Sequence, residues 1–314
     1  LGHRLVVLGE QDPRLLAAAR ELCAMARGPQ SRMTPSAIGL AQARSGFPGD
    51  ARFAREWTGG GRPELLLQVL AAWLQTADDD YPLSPRLVGK PGVGKTTLAY
   101  AAARKLEKDV YFFQATMDTR PEDLIVTPVV AEAGKLKYVA SPIVTAMIRG
   151  GVVVVDEGNR MSEKSWASLA PLLDQRRYVE SLVAGVKIQA HPDFRFCATM
   201  NDDASTFDLP EYIHSRLQPQ ILIDFPEPEE ERIILQYNLP FAPDDVLDYV
   251  VAFLQAAHRV GEPFTVRDGI NVTRYALKLA AQAERDGGQP DLKRLLRQAT
   301  EMILGQDATL HLDE

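Results

Sequence analysis

Four consecutive valines, Val152 to Val155, run into two adjacent carboxylates, Asp156 and Glu157. An apolar run without polar alternation predicts a strand buried on both faces, as in a parallel sheet. The apolar stretch before Gly89 predicts a second strand, and an alanine-rich helix follows it. A third strand is predicted in FRFCATMND, residues 194–202, whose apolar run ends at Thr199, Met200 and Asn201. A further strand ends near Phe225, after a short polar helix. VVAEAGKLKYVA, residues 129–140, places two apolar-rich arms around Ala133–Gly134 and predicts a hairpin.

Beyond the PEPEEE linker the period changes. EEERIILQYNL, DDVLDYVVAFLQAAHRV, VRDGINVTRYALKLAAQAERDG and PDLKRLLRQATEMIL repeat apolar residues every three or four positions, predicting a small helical bundle. At the other end, DPRLLAAARELCAMAR predicts an amphipathic helix, followed by a stretch rich in Gly, Pro and Arg. The segment ADDDYPLSP, residues 77–85, predicts a solvated loop, and no internal repeat is present. The expected organisation is therefore an accessory, mostly helical N-terminal region over 1–62, an α/β core over 63–225 and a helical lid over 226–314.

Composition narrows the class. With 314 residues and 46% hydrophobic content the chain can bury a sizeable core. No apolar run reaches the roughly 20 residues of a membrane span. The start, LGHRLVVLGEQDP, lacks a charged leader before a long apolar stretch, so no signal peptide is expected, and Leu1 is expected to be a truncated or processed start. Cys23 and Cys197 are far apart in apolar contexts, which predicts buried free thiols in a reducing, cytoplasmic setting. The five histidines show no metal-ligand spacing. A net charge of −7 disfavours general nucleic-acid binding, leaving only a local basic patch open.

Two carboxylates at the end of a buried strand call for positive charge. Gly89 to Thr96 supplies it as G-x-x-x-x-G-K-T between strand and helix, the context of a phosphate-binding loop. Its glycines let backbone N–H groups approach phosphate oxygens, and the helix adds its positive N-terminal end. The expected ATP contacts are Gly89, Pro91, Gly92, Val93, Gly94, Lys95, Thr96 and Thr97. Lys95 reaches the β- and γ-phosphates, while Thr96 and Asp156 hold Mg2+. Glu157 orients and polarises the attacking water, and Asn201 bridges that water and the γ-phosphate. Arg216, after the short polar helix, is suited to reach the nucleotide of a neighbouring copy. Arg267 opens a bundle helix and can touch the nucleotide; Arg274, two turns along, is less suited.

Together these residues resemble the AAA+ ATPases and, within them, the MoxR-like group (the dynein-related type), over about residues 65–305. VVDEGNRMSEKSWASLAPLLDQRRYV resembles that group's second nucleotide motif. HPDFRFCATMN resembles its sensor-1 strand, and RPEDLIVTPVVAEAGKLKYVASPIVTAMIRGG its segment after the phosphate loop. Two positions depart from the pattern: Ser141–Pro142 replaces Gly-Pro, and Gly158 replaces an aliphatic residue. By this resemblance Asn201 is sensor 1, Arg216 the arginine finger and Arg267 sensor 2. The resemblance further implies a homo-oligomeric ring, commonly of six subunits, with ATP between neighbours and the hairpin facing the ring axis. It implies remodelling or maturation of a protein partner, often one with a von Willebrand factor A domain. The main competing reading is a nucleic-acid-acting motor or loader, for which EAGKLKY offers only Lys135 and Lys137. A nucleotide-gated binding module is a third reading, and an intact Glu157 argues against it.

Overall fold

The computed structural model describes residues 38–39, 62–77, 79–130, 136–202 and 209–312. The helix expected in DPRLLAAARELCAMAR, Cys23, the Ala133–Gly134 turn and Lys135 lie outside the described residues. Two compact units are present. One is built on segments 65–88 and 96–222 with strand 38–39; the other is built on 62–64, 89–95 and 223–312.

In chain order the elements are β1 (Ile38–Gly39), α1 (Pro63–Trp73), β2 (Arg86–Gly89), α2 (Lys95–Lys105), β3 (Val110–Gln114), α3 (Pro121–Leu124), β4 (Val126–Val130) and β5 (Leu136–Ala140). Then follow α4 (Pro142–Arg149), β6 (Val152–Asp156), α5 (Glu163–Leu169), β7 (Tyr178–Ser181), β8 (Val186–Gln189), β9 (Arg195–Asn201), α6 (Glu211–His214) and β10 (Gln220–Ile223).

The central sheet has five strands in the order β10-β2-β9-β6-β3. Its valine strand β6 sits between β3 and β9, parallel to both. That position explains the unbroken valine run: Val152 to Val155 are all fully buried, and each such side chain contributes about 1.5–3 kcal/mol. Ile143, Val144 and Met147 of α4 are buried in one core with Val153 and Val155. The register sets Gln114 level with Asp156 and Val155 level with Ala198, so Thr199 to Asn201 follow at the sheet edge where β6 ends.

Both departures from the family pattern have local explanations. Ser141 caps α4: its hydroxyl accepts from the Val144 N–H at 3.1 Å and donates to the Leu124 carbonyl at 2.6 Å. Pro142 at the first helical position needs no N–H partner. At Gly158, a Cβ would lie 3.0 Å from Cζ2 of the fully buried Trp166. That indole also donates to the Gly158 carbonyl at 3.1 Å, so the ring fills the space an aliphatic side chain would take.

β4 (Val126–Val130) pairs antiparallel with β5 (Leu136–Ala140), as the arms of the expected hairpin. Its extension was not legible beforehand: β1 pairs parallel with β5, Ile38 opposite Tyr138. A second hairpin, β7 with β8, also went unpredicted. Val179 and Ser181 point inward from one strand, Val186 and Ile188 from the other.

The second unit carries the four bundle helices, α7 (Pro228–Asn238), α8 (Asp244–Arg259), α9 (Val266–Arg285) and α10 (Leu292–Leu304). Leu235, Val250, Leu254, Val272, Ala276 and Leu296 are in its core. Gly269 lets α9 approach α8, since a Cβ there would lie 2.7 Å from Leu254 Cδ1.

Candidate nucleotide and metal site

The phosphate loop belongs to the second unit. Gly92 and Gly94 have φ of 87° and 94°, the left-handed region where a side chain is strained. Space is short as well. A Cβ at Gly89 would lie 2.2 Å from the Ile223 carbonyl oxygen, and one at Gly92 would lie 2.5 Å from Thr265 Oγ1. Lys95, buried, donates from Nζ to the carbonyls of Gly89 and Lys90 at 2.8 and 2.7 Å, pinning the turn from inside. Val93 is buried under the loop, whereas Pro91 is exposed.

Arg267 sits beside this loop, its Cβ 3.4 Å from where a Cβ on Gly92 would be. It opens α9 just after Thr265, whose N–H and hydroxyl both donate to Asp268. Lys90 Nζ lies 4.9 Å from the centre of the Phe225 ring, which stacks on His258 at 3.8 Å.

Covalent continuity through α2 leads to the first unit, where the acids lie. Asp156 Oδ1 accepts from Thr96 Oγ1 at 2.8 Å and from Thr199 Oγ1. The same Thr199 hydroxyl accepts the Glu157 N–H at 3.2 Å. Glu157 itself has φ of 55°, an uncommon conformation for a non-glycine residue that turns the chain sharply after the strand. Three groups converge on its carboxylate. Gln114 Nε2 donates to Oε2 at 3.1 Å, Asn201 Nδ2 donates to Oε1 at 3.4 Å, and Arg160 Nε pairs with Oε2 at 2.7 Å. Asn159, buried, donates to the Asn201 carbonyl at 2.8 Å and so ties the strand end to the turn after Glu157.

Thus Thr96, Asp156, Glu157 and Asn201 come together in one unit, and Lys95 and Arg267 at the loop of the other. Thr97 follows Thr96 in α2. Arg216 is not bonded to that cluster: its Nε donates to Asp174 Oδ2 at 3.0 Å and its Nη1 to the Tyr212 carbonyl at 2.7 Å. Gln114, Thr199, Arg160 and Asp174 were not singled out from sequence. For Gln114 a signal existed, a polar residue closing a strand beside the valine strand; for Asp174 there was none.

The donors suit the groups expected here. A hydroxyl and a carboxylate make an oxygen set appropriate to Mg2+, which is usually held by one or two carboxylates together with phosphates. Among the described residues there is no cluster of three or more His, Cys, Asp or Glu able to hold a metal alone. Cys197 on β9 is free and buried; burial first, then the nearby Asp156, raises its thiol well above the ordinary range, so it is a packing residue. No helix among the described residues is long and apolar enough to cross a membrane.

A parallel sheet, a glycine loop opening a helix and an acid pair at the tip of β6 define a phosphate-loop nucleotide-binding fold of the AAA+ kind. Residues 86–217 match the AAA domain of the dynein-related subfamily. Protein MoxR of Paracoccus denitrificans is 31% identical over 157 residues, covering 49% of this chain and 45% of that protein. A von Willebrand factor A domain-containing protein 8 of Mus musculus is 27% identical over 221 residues, covering 62% of this chain and 11% of that protein. The chain therefore spans half or less of the length of these relatives. In fold it resembles the RuvB Holliday junction branch migration motor of Thermotoga maritima, with a TM-score of 0.53, 17% identity, and coverage of 79% of this chain and 70% of that one. Residues 86–217 thus match an AAA domain of the dynein-related type, and the chain is similar to the MoxR-like AAA+ proteins.

Proposed function

We propose that this chain hydrolyses ATP and uses the energy to remodel or mature a partner protein, working as a ring of identical copies, six by the family resemblance. The observation that carries the reading is the convergence of Thr96 and Thr199 on Asp156 beside a Glu157 carboxylate held by two hydrogen-bond donors and an ion pair with Arg160. In this reading residues 63–225 are the nucleotide-binding core, 226–314 the lid and 1–62 an accessory region.

Gly89, Gly92 and Gly94 present backbone N–H groups to the phosphates, with Pro91, Val93 and Thr97 shaping the loop and Lys95 supplying charge. Thr96 and Asp156 hold Mg2+, which when bound neutralises charge on the phosphate oxygens. Glu157 polarises water for in-line attack, aimed by Gln114 and Asn201. Arg267 steadies the phosphates from the lid, and Arg216 serves the site of the next copy. A partner carrying a von Willebrand factor A domain fits the name of the mouse relative. The setting is cytoplasmic.

Hydrolysis and nucleotide binding measured on Glu157→Gln and Lys95→Ala test the site. Glu157→Gln is expected to bind ATP and lose turnover by orders of magnitude, and Lys95→Ala to lose binding itself. Wild-type hydrolysis by Glu157→Gln rejects the assignment. Measuring the wild-type rate with a von Willebrand factor A domain protein, duplex DNA or RNA separates the readings: stimulation by nucleic acid alone rejects a protein remodeller.

A further inference from the structure

Arg216 is held in an arrangement that a simple surface ion pair does not need. Asp174 lies in the turn between α5 and β7, 42 residues from Arg216 in sequence, and one carboxylate there receives two guanidinium groups. Arg176 donates to it from Nε at 2.9 Å, from Nη2 at 2.8 Å and from its backbone N–H at 3.0 Å. Arg216 adds Nε at 3.0 Å and anchors Nη1 on the Tyr212 carbonyl at 2.7 Å.

The charges do not cancel. Two cations share one anion, leaving a net positive cluster whose Arg216 and Arg176 side chains are 27% and 47% exposed. The hydrogen bonds to Arg176, chiefly, and to Arg216 hold the Asp174 carboxyl well below the usual carboxylate range despite burial, so it stays ionised. A guanidinium has five N–H donors, and the two bonds of Arg216 leave others for an incoming anion. Fixing that planar fork at both ends removes rotamer freedom before the anion arrives, which preorganises it.

We propose that Asp174 is the positioning residue for Arg216, aiming its guanidinium at the nucleotide phosphate of a neighbouring copy, with Arg176 locking Asp174 in place. The inference rests on the ring reading given above. It concerns a carboxylate distinct from the Asp156–Glu157 pair, whose loss acts only through Arg216.

The test compares Asp174→Asn, Arg216→Ala and the double variant as full-length oligomers with Mg2+ and ATP. Asp174→Asn is expected to lower kcat at least about tenfold and leave KM within about twofold. The double variant is expected to be no slower than Arg216→Ala alone, since one acts through the other. Mixing Asp174→Asn with Lys95→Ala subunits is expected to restore turnover, because each variant carries the half-site the other lacks; a merely structural defect would not be rescued. A wild-type rate in Asp174→Asn beside a slow Arg216→Ala overturns the positioning role alone. Additive losses in the double variant, or no rescue in verified mixed oligomers, also overturn it. A wild-type rate in Arg216→Ala overturns the trans-acting reading beneath it as well. If Asp174→Asn does not assemble, Asp174→Glu displaces the same charge by one methylene and is expected to lose kcat at unchanged KM; a wild-type kcat there overturns the proposal.

Discussion

Glu231 sits in the first turns of α7, fully buried, within a run of acids that reads as solvated. Its Oε2 accepts from Gln255 Nε2 at 2.9 Å, and its Oε1 has no hydrogen-bond partner. Burial raises its pKa from 4.5 to about 7, outweighing the Gln255 bond and the attraction of Arg62. Between those values the folded chain keeps a proton that the unfolded chain has lost. Stability therefore falls as pH rises through that window and levels off above it. At about 1.4 kcal/mol per pH unit the ionised carboxylate costs about 3 kcal/mol by pH 8. Glu231→Gln removes the charge and keeps the shape. Relative to wild type, the variant is expected to gain stability progressively from pH 5 to pH 8, to a total of about 3 kcal/mol. Urea denaturation of both proteins, followed by circular dichroism at fixed ionic strength at each pH, reads that difference while other titrations cancel. Parallel stability curves over pH 5–8 would refute the argument, because they would mean that Glu231 has the same proton affinity folded and unfolded.

Two further predictions concern the departures from the family pattern. Gly158→Val forces a branched side chain against Trp166, where even a Cβ lies at 3.0 Å, and is expected to cost about 1–3 kcal/mol; an unchanged Tm would contradict it. Ser141→Ala removes the α4 cap and leaves the Leu124 carbonyl without its hydroxyl donor, with an expected loss of about 1–3 kcal/mol in the same measurement. Stability equal to wild type would show that another donor replaces the hydroxyl.

The sequence by itself determined the valine strand, the phosphate loop, the bundle helices and the motif chemistry, because those signals are local. An unbroken valine run specifies a doubly buried strand, glycine spacing specifies a turn that phosphates can approach, and three- and four-residue spacing specifies the bundle helices. The identities of Lys95, Thr96, Asp156 and Glu157 follow from such patterns. Tertiary structure decided which distant groups meet them. Gln114 reaches Glu157 because β3 and β6 pair in one register; a slip of one residue would turn every side chain to the opposite face. Thr199 reaches Asp156 for the same reason across β6 and β9. The pairing of β1 with β5 and of Asp174 with Arg216 joins residues that no local periodicity links. Glu231 is the sharpest case: its neighbours in sequence are acids, as on a solvated face, and only the packing of α7 takes that one carboxyl out of water and changes its chemistry.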